Sequence, residues 1–150
     1  MMFESAEAGD LAEEDTIRPG ITSSLEWVVT DALCTVRGGR HVFSTPSMVL
    51  LVERAAVQLL EPFLKPGQSS VGTRINVRHM APTLLGMAVR AEADLTDIEG
   101  RRVTFKVKVF DEDEQVGDAD HERVIIDVDR YLARLDKKSA SQSAREARLS

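Results

Sequence analysis

The chain of 150 residues holds one cysteine, one tryptophan and one tyrosine. It also lacks any apolar run of the ~18 residues that a bilayer-spanning helix needs. Each shortage removes a class of protein. Cys34 has no partner for an intrachain disulfide and cannot alone assemble a cysteine metal site, so no structural zinc is expected and a reducing cytoplasm suits the chain. Positive charge is short as well, with 19 Lys and Arg against 25 Asp and Glu for a formal charge of −6, a balance that repels a nucleic-acid backbone. The N-terminus is acidic where a secretory leader is basic and then apolar. The expectation is a cytoplasmic protein with no membrane or nucleic-acid partner and no cofactor.

What is present, 43% hydrophobic and 29% charged residues, is the composition of one globular domain. Residues 1–18 read as a flexible acidic segment and residues 136–150 as a flexible tail rich in Ser, Ala, Lys and Arg whose good helix formers are compatible with continued helix, leaving 19–135 for the domain. After Pro19-Gly20, Ile21 to Val36 reads as a strand with an irregular continuation. The run Arg37-Gly38-Gly39-Arg40 marks a loop that leads through His41-Val42-Phe43-Ser44 to a helix and is placed to border a pocket.

The helix signal is strong. Thr45 suits the cap, Pro46 the first turn, and helix formers run to about Leu60 before Pro62, Pro66 and Gly67. On a 3.6-residue wheel Ser47, Arg54, Gln58 and Glu61 share one narrow polar stripe, which predicts a helix covered on most sides. The period then changes to 2. Val71, Thr73, Ile75, Val77 and His79 are expected on one face of a first strand, and Met87, Val89, Ala91, Ala93 and Leu95 on one face of a second. Val103, Phe105, Val107 and Val109 pattern a third, and Val124, Ile126 and Val128 the last. One long helix followed by an antiparallel meander predicts an α+β hot-dog fold, a central helix wrapped by a sheet of about five to six strands. The surplus of apolar helix surface and the open sheet edge predict a homodimer, with higher association left open.

Glu53 is the sharpest candidate for chemistry, because its wheel position lies between Val49, Val57 and Leu60 and away from the polar stripe. A carboxylate placed there needs a donor, a cation or a function; the structural alternative is an ion pair with an arginine at a dimer seam. His79 ends the apolar face of its strand, where an imidazole exchanges protons near neutrality, although a packed or solvated histidine explains it equally well. Capping alone accounts for Thr45 as well as catalysis does. Eight residues at 1.5 Å separate Thr45 from Glu53 by about 12 Å along the axis, so a direct hydrogen bond between them is excluded. Gly72 permits close backbone approach or a bulge. Arg123, in His121-Glu122-Arg123, suits an anion or is an exposed strand cation. A metal held by His121 and Glu122 lacks an evident third ligand.

From Val42 to Val128 the chain resembles the fluoroacetyl-CoA thioesterase-like branch of the hot-dog thioesterases. The resemblance is carried by Val-Phe-Ser-Thr-Pro-Ser-Met at 42–48 with Val52-Glu53, by Val71-Gly72-Thr73 with Val77-Arg78-His79, by Glu99-Gly100-Arg101-Arg102 and by His121-Glu122-Arg123. It implies that Thr45, Glu53 and His79 are catalytic, that Gly72 holds the thioester oxygen, and that Arg123 at the site entrance and Phe43 bind substrate. The activity it implies is hydrolysis of a short or medium acyl-CoA. A non-catalytic acyl-CoA-binding module and an enoyl-thioester hydratase or dehydratase are the alternatives on the same fold.

Overall fold

The computed structural model describes residues 16–150; the expected N-terminal segment therefore lies outside the described residues apart from its last three. Strand β1 (Thr22–Val28) is followed by a 3-10 turn (Asp31–Leu33) and a hairpin of β2 (Cys34–Arg37) and β3 (Arg40–Phe43). Helix α1 (Thr45–Leu60) comes next, then β4 (Gln68–His79), β5 (Ala88–Glu99), β6 (Arg102–Asp111), β7 (Gln115–Asp127) and helix α2 (Val128–Leu149). The main sheet has five antiparallel strands in the order β1-β5-β6-β7-β4, so β4 is an edge, and β2–β3 form a separate ribbon.

Helix α1 starts at Ser44, whose hydroxyl accepts from the Ser47 amide at 3.2 Å, so the capping role expected of Thr45 belongs to its neighbour. Thr45 occupies the first helical turn with its hydroxyl free for another partner. Met48, Leu51, Val52, Ala55, Ala56, Leu59 and Leu60 are buried against the sheet, at the spacing one helix face requires. Past its first turn only Leu50, Arg54 and Gln58 are exposed, so the helix is covered on most sides as the wheel predicts, with Leu50, 39% exposed, the apolar member of the open stripe.

Opposite α1, Val89, Ala91, Ala93 and Leu95 of β5 and Val103, Phe105, Val107 and Val109 of β6 are buried, as alternation predicts. Two strands depart from expectation. In β4, Gly72 pairs with Arg123 and Arg74 with Glu122, so Thr73 is an extra residue in a β-bulge. The bulge shifts the side-chain phase by one, which puts Gly72 rather than Val71 or Thr73 on the face shared with Ile75, Val77 and His79. In β7 the buried residues are Val116, Gly117, Ala119, His121 and Arg123, whereas Val124 and Ile126 are only partly covered and Val128 begins α2. The apolar alternation of β7 thus marks its other face, and polar side chains line its inner one.

Helix α2 runs unbroken through position 136, where a tail was expected to begin, and Tyr131, Leu132 and Leu135 stand exposed on it. No helix among the described residues is long and apolar enough to cross a membrane.

Candidate active site

Two groups of polar side chains lie against α1, at opposite ends of β4. At the first, the N-terminus of α1 meets the last residue of β4, and Thr45 Oγ1 lies 2.8 Å from His79 Nδ1. The hydroxyl serves as donor when Nδ1 carries no proton. Burial pushes the His79 pKa below the ordinary 6.5, only partly offset by the Ala81 backbone, so the imidazole is neutral near pH 7. Its Nε2 is buried, and among the described residues no hydrogen bond of good geometry reaches it. Thr45 and His79 line a cavity of about 690 Å³ together with Thr35, Arg37, Phe43 and Met80. That volume is in the range of small-molecule sites.

The ribbon β2–β3 forms one wall of this cavity. It is tied down by a Phe43 amide bond to the Thr83 carbonyl at 2.8 Å, a Leu85 amide bond to the His41 carbonyl at 3.2 Å and a bridge between Val42 and Leu84. Phe43 is 1% exposed, so it anchors the ribbon in the core and shows the cavity little surface.

At the second group, two turns along α1, Glu53 Oε2 accepts from Arg123 Nη1 at 3.1 Å. The Glu53 side chain is 43% exposed and that of Arg123 only 6%. The arginine is thus not an exposed strand cation: it is buried as the partner that a misplaced carboxylate requires, and it comes from the same chain. Arg123 Nε and Nη2 donate to the Ser70 hydroxyl at 2.9 Å and the Ser70 carbonyl at 3.0 Å. Burial draws the guanidinium's pKa down and Glu53 draws it back, so the charge is kept by its partner.

His121, which the sequence offers only as a weak metal ligand, completes this group. It is 2% exposed, donates from Nδ1 to the Arg74 carbonyl at 2.8 Å, and so presents Nε2 as an acceptor 3.3 Å from Arg123 Nη1. Burial and the adjacent guanidinium hold its pKa below 6.5. Glu122 points to the other face, 3.4 Å from Arg102, so it does not converge with His121 on a metal. Among the described residues no group of three His, Cys, Asp or Glu side chains is arranged for a metal ion. Gly72 is explained by space: a Cβ there would stand 2.7 Å from Glu53 Oε2 and 3.3 Å from Arg123 Nη1.

The structure therefore brings Thr45 to His79 and Glu53 to Gly72 and Arg123, but it does not bring the two groups together. Gly72 and His79 are seven residues apart on one strand, about 20 Å at the usual rise. Cys34 donates its thiol to the Thr30 carbonyl at 3.3 Å, and desolvation with Asp31 nearby raises its pKa, which leaves no thiolate for attack.

Residues 28–129 match the family described as fluoroacetyl-CoA-specific thioesterase. A fluoroacetyl-CoA thioesterase of Streptantibioticus cattleyicolor is 39% identical over 99 residues, covering 66% of this chain and 71% of the relative. A solved structure of the fluoroacetyl-CoA thioesterase superposes with a TM-score of 0.75 at 33% identity, over 81% of this chain and 97% of the other. A Thermus thermophilus thioesterase superfamily member gives 0.80 at 29% identity, over 85% and 97%. A hot-dog-like protein from Thermanaerovibrio acidaminovorans gives 0.76 at 25% identity, over 83% and 94%. With one helix wrapped by an antiparallel sheet and a match extending over most of its length, the chain belongs to the fluoroacetyl-CoA-specific thioesterase family and has the hot-dog fold.

Proposed function

We propose that the chain hydrolyses a short or medium acyl-CoA thioester to the free acid and CoA, and that it does so as a homodimer whose two-fold axis passes near the middle of β4. The observation that carries the reading is the Thr45–His79 hydrogen bond of 2.8 Å in the wall of a cavity of about 690 Å³. A neutral imidazole beside a hydroxyl takes a proton from it, or from a water in its place, at neutral pH.

The dimer follows from what one chain leaves unfinished. The 12-residue β4 is an open sheet edge, Leu50 of α1 is exposed, and His79 Nε2 is buried with no hydrogen-bond partner among the described residues. Antiparallel pairing of two β4 edges about their centres lays the Gln68 end of one strand against the His79 end of the other. Glu53 of the partner subunit then approaches His79 and the cavity, which resolves the separation of the two groups. In this arrangement the Glu53 carboxylate and His79 activate the attacking oxygen, either water or Thr45 Oγ1. The Gly72 amide polarises the thioester carbonyl, and Arg123 binds and orients the Glu53 carboxylate. The carbon–sulfur bond breaks and the CoA sulfur leaves with a proton returned by the protonated base; attack by water gives the free acid directly, whereas attack by Thr45 leaves an acyl ester that one water then hydrolyses to the acid and the free hydroxyl.

Release of free thiol from a panel of acyl-CoAs, read with a thiol reagent, tests the activity. Turnover by the wild type is expected. Tight binding of every member without thiol release would refute hydrolysis. Sedimentation of the protein as a monomer at working concentration would refute the composite site.

A further inference from the structure

The ribbon over the Thr45–His79 cavity carries charge that the proposed chemistry does not use. Arg37 ends β2, Arg40 begins β3, and the two are register partners across the Gly38-Gly39 turn, whose φ angles are 56° and 73°. Like charges directly opposite each other in a ladder repel. Among the described residues no carboxylate pairs with either guanidinium, and the nearby Asp31 is taken by His41 at 3.0 Å. Arg37 is nevertheless held in place. Its Nη1 donates to Thr35 Oγ1 at 2.9 Å and to the Val36 carbonyl at 2.8 Å, while Nε and Nη2 have no partner among the described residues. Arg37 lies in the cavity wall, and apart from the imidazole of His79 the other lining residues are uncharged.

A guanidinium with two free donors, fixed through a third, at a cavity that holds a hydroxyl–imidazole pair, is arranged to receive an oxyanion. We propose that Arg37, with Arg40 adding charge from the facing strand, recognises a negative group on the substrate within reach of the thioester. Two parts of an acyl-CoA carry that chemistry: a carboxylate at the far end of the acyl chain, as in a dicarboxylic half-thioester, and a phosphate of CoA. The inference rests on the reading that this cavity is where the thioester is hydrolysed, and it narrows that reading to a substrate class.

The test compares wild type with Arg37→Gln and the double variant Arg37→Gln/Arg40→Gln, after thermal melts establish that they fold. Three thioesters are used: butyryl-CoA, succinyl-CoA and the phosphate-free butyryl-N-acetylcysteamine. Loss of a charge-assisted hydrogen bond is expected to lower kcat/KM about tenfold or more. A loss confined to succinyl-CoA supports the proposal and assigns the acyl carboxylate. A loss with both CoA thioesters, but not with the N-acetylcysteamine thioester, supports it and assigns the phosphate. No loss, or an equal loss with all three, overturns it. Should the wild type turn over none of them, the hydrolase reading fails separately. Affinities for the same three ligands then decide the anion site by the same pattern.

Discussion

Arg123 and Glu53 meet at 3.1 Å across the space between β7 and α1, with the arginine buried and the carboxylate half exposed. The pairing explains how an acidic residue is tolerated in an apolar stretch of helix, and it leaves one carboxylate oxygen, Oε1, outside the ion pair. A carboxylate anchored through one oxygen and open at the other is suited to take a proton or orient a water.

Glu53→Gln should therefore keep the fold and lose the reaction. The amide oxygen still accepts from Arg123, so the melting temperature should move by only a few degrees, about what 1 kcal/mol produces in a domain of this size, whereas kcat should fall about 100-fold or more. Thiol release beside a thermal melt reads both. Unimpaired hydrolysis by this variant would remove Glu53 from the mechanism.

Thr45 has no capping role to lose, because Ser44 performs it. Thr45→Ala is expected to leave stability within about 0.5 kcal/mol, as for a substitution away from packing and caps, while Ser44→Ala should cost about 1 kcal/mol. If Thr45 is the nucleophile, rapid quenching followed by mass spectrometry of the intact chain should find an acyl adduct on the wild type and none on Thr45→Ala. Full activity in Thr45→Ala would assign the attack to water.

Gly72→Ala places a methyl group 2.7 Å from Glu53 Oε2, which must move or distort the pair with Arg123. Displacement of a reacting group by about 1 Å costs about 100-fold in rate, so kcat should fall while far-ultraviolet circular dichroism stays unchanged. Wild-type kinetics in this variant would show that the carboxylate's seat is not what matters.

The half-buried His79 and the buried His121 set an acid limit. His79 and His121 both have pKa values held below 6.5, chiefly by burial. Between that folded value and 6.5 the unfolded chain binds more protons than the folded one, so stability falls as pH falls through this window and is kept above it. Urea unfolding at about pH 7.5 and 5.5 should show the loss. His121→Gln, which can still donate to the Arg74 carbonyl and accept from Arg123, should reduce it. Activity should follow the same direction: with His79 as the base, kcat/KM should stay level down to about pH 6.5 and decline only below it.

Much of this was legible in the sequence because it is local. Period-2 patterning located the faces of β5 and β6, and the wheel marked Glu53 as a carboxylate needing a partner. What was not legible depends on pairing between distant segments. The Thr73 bulge is defined by β7, so alternation within β4 alone assigned Val71 and Thr73 to the wrong face. His121 read as a weak metal ligand because its partners, the Arg74 carbonyl and Arg123, meet it only once β4 and β7 are side by side. The cap was missed by one residue because Ser44 and Thr45 are both cap formers, and helix ends are not fixed to one residue by such preferences alone.

The extra residue in β4 also decides where that strand tolerates a change in length. Without Thr73, Gly72 opposite Arg123 would run directly on to Arg74 opposite Glu122, and plain alternation would hold Gly72 on the face of Ile75, Val77 and His79. A single-codon deletion at Thr73 is therefore absorbed by the ladder. The same deletion between Ile75 and His79 has no spare residue to absorb it, and it would put the Gly72 half of the strand out of step with the His79 half.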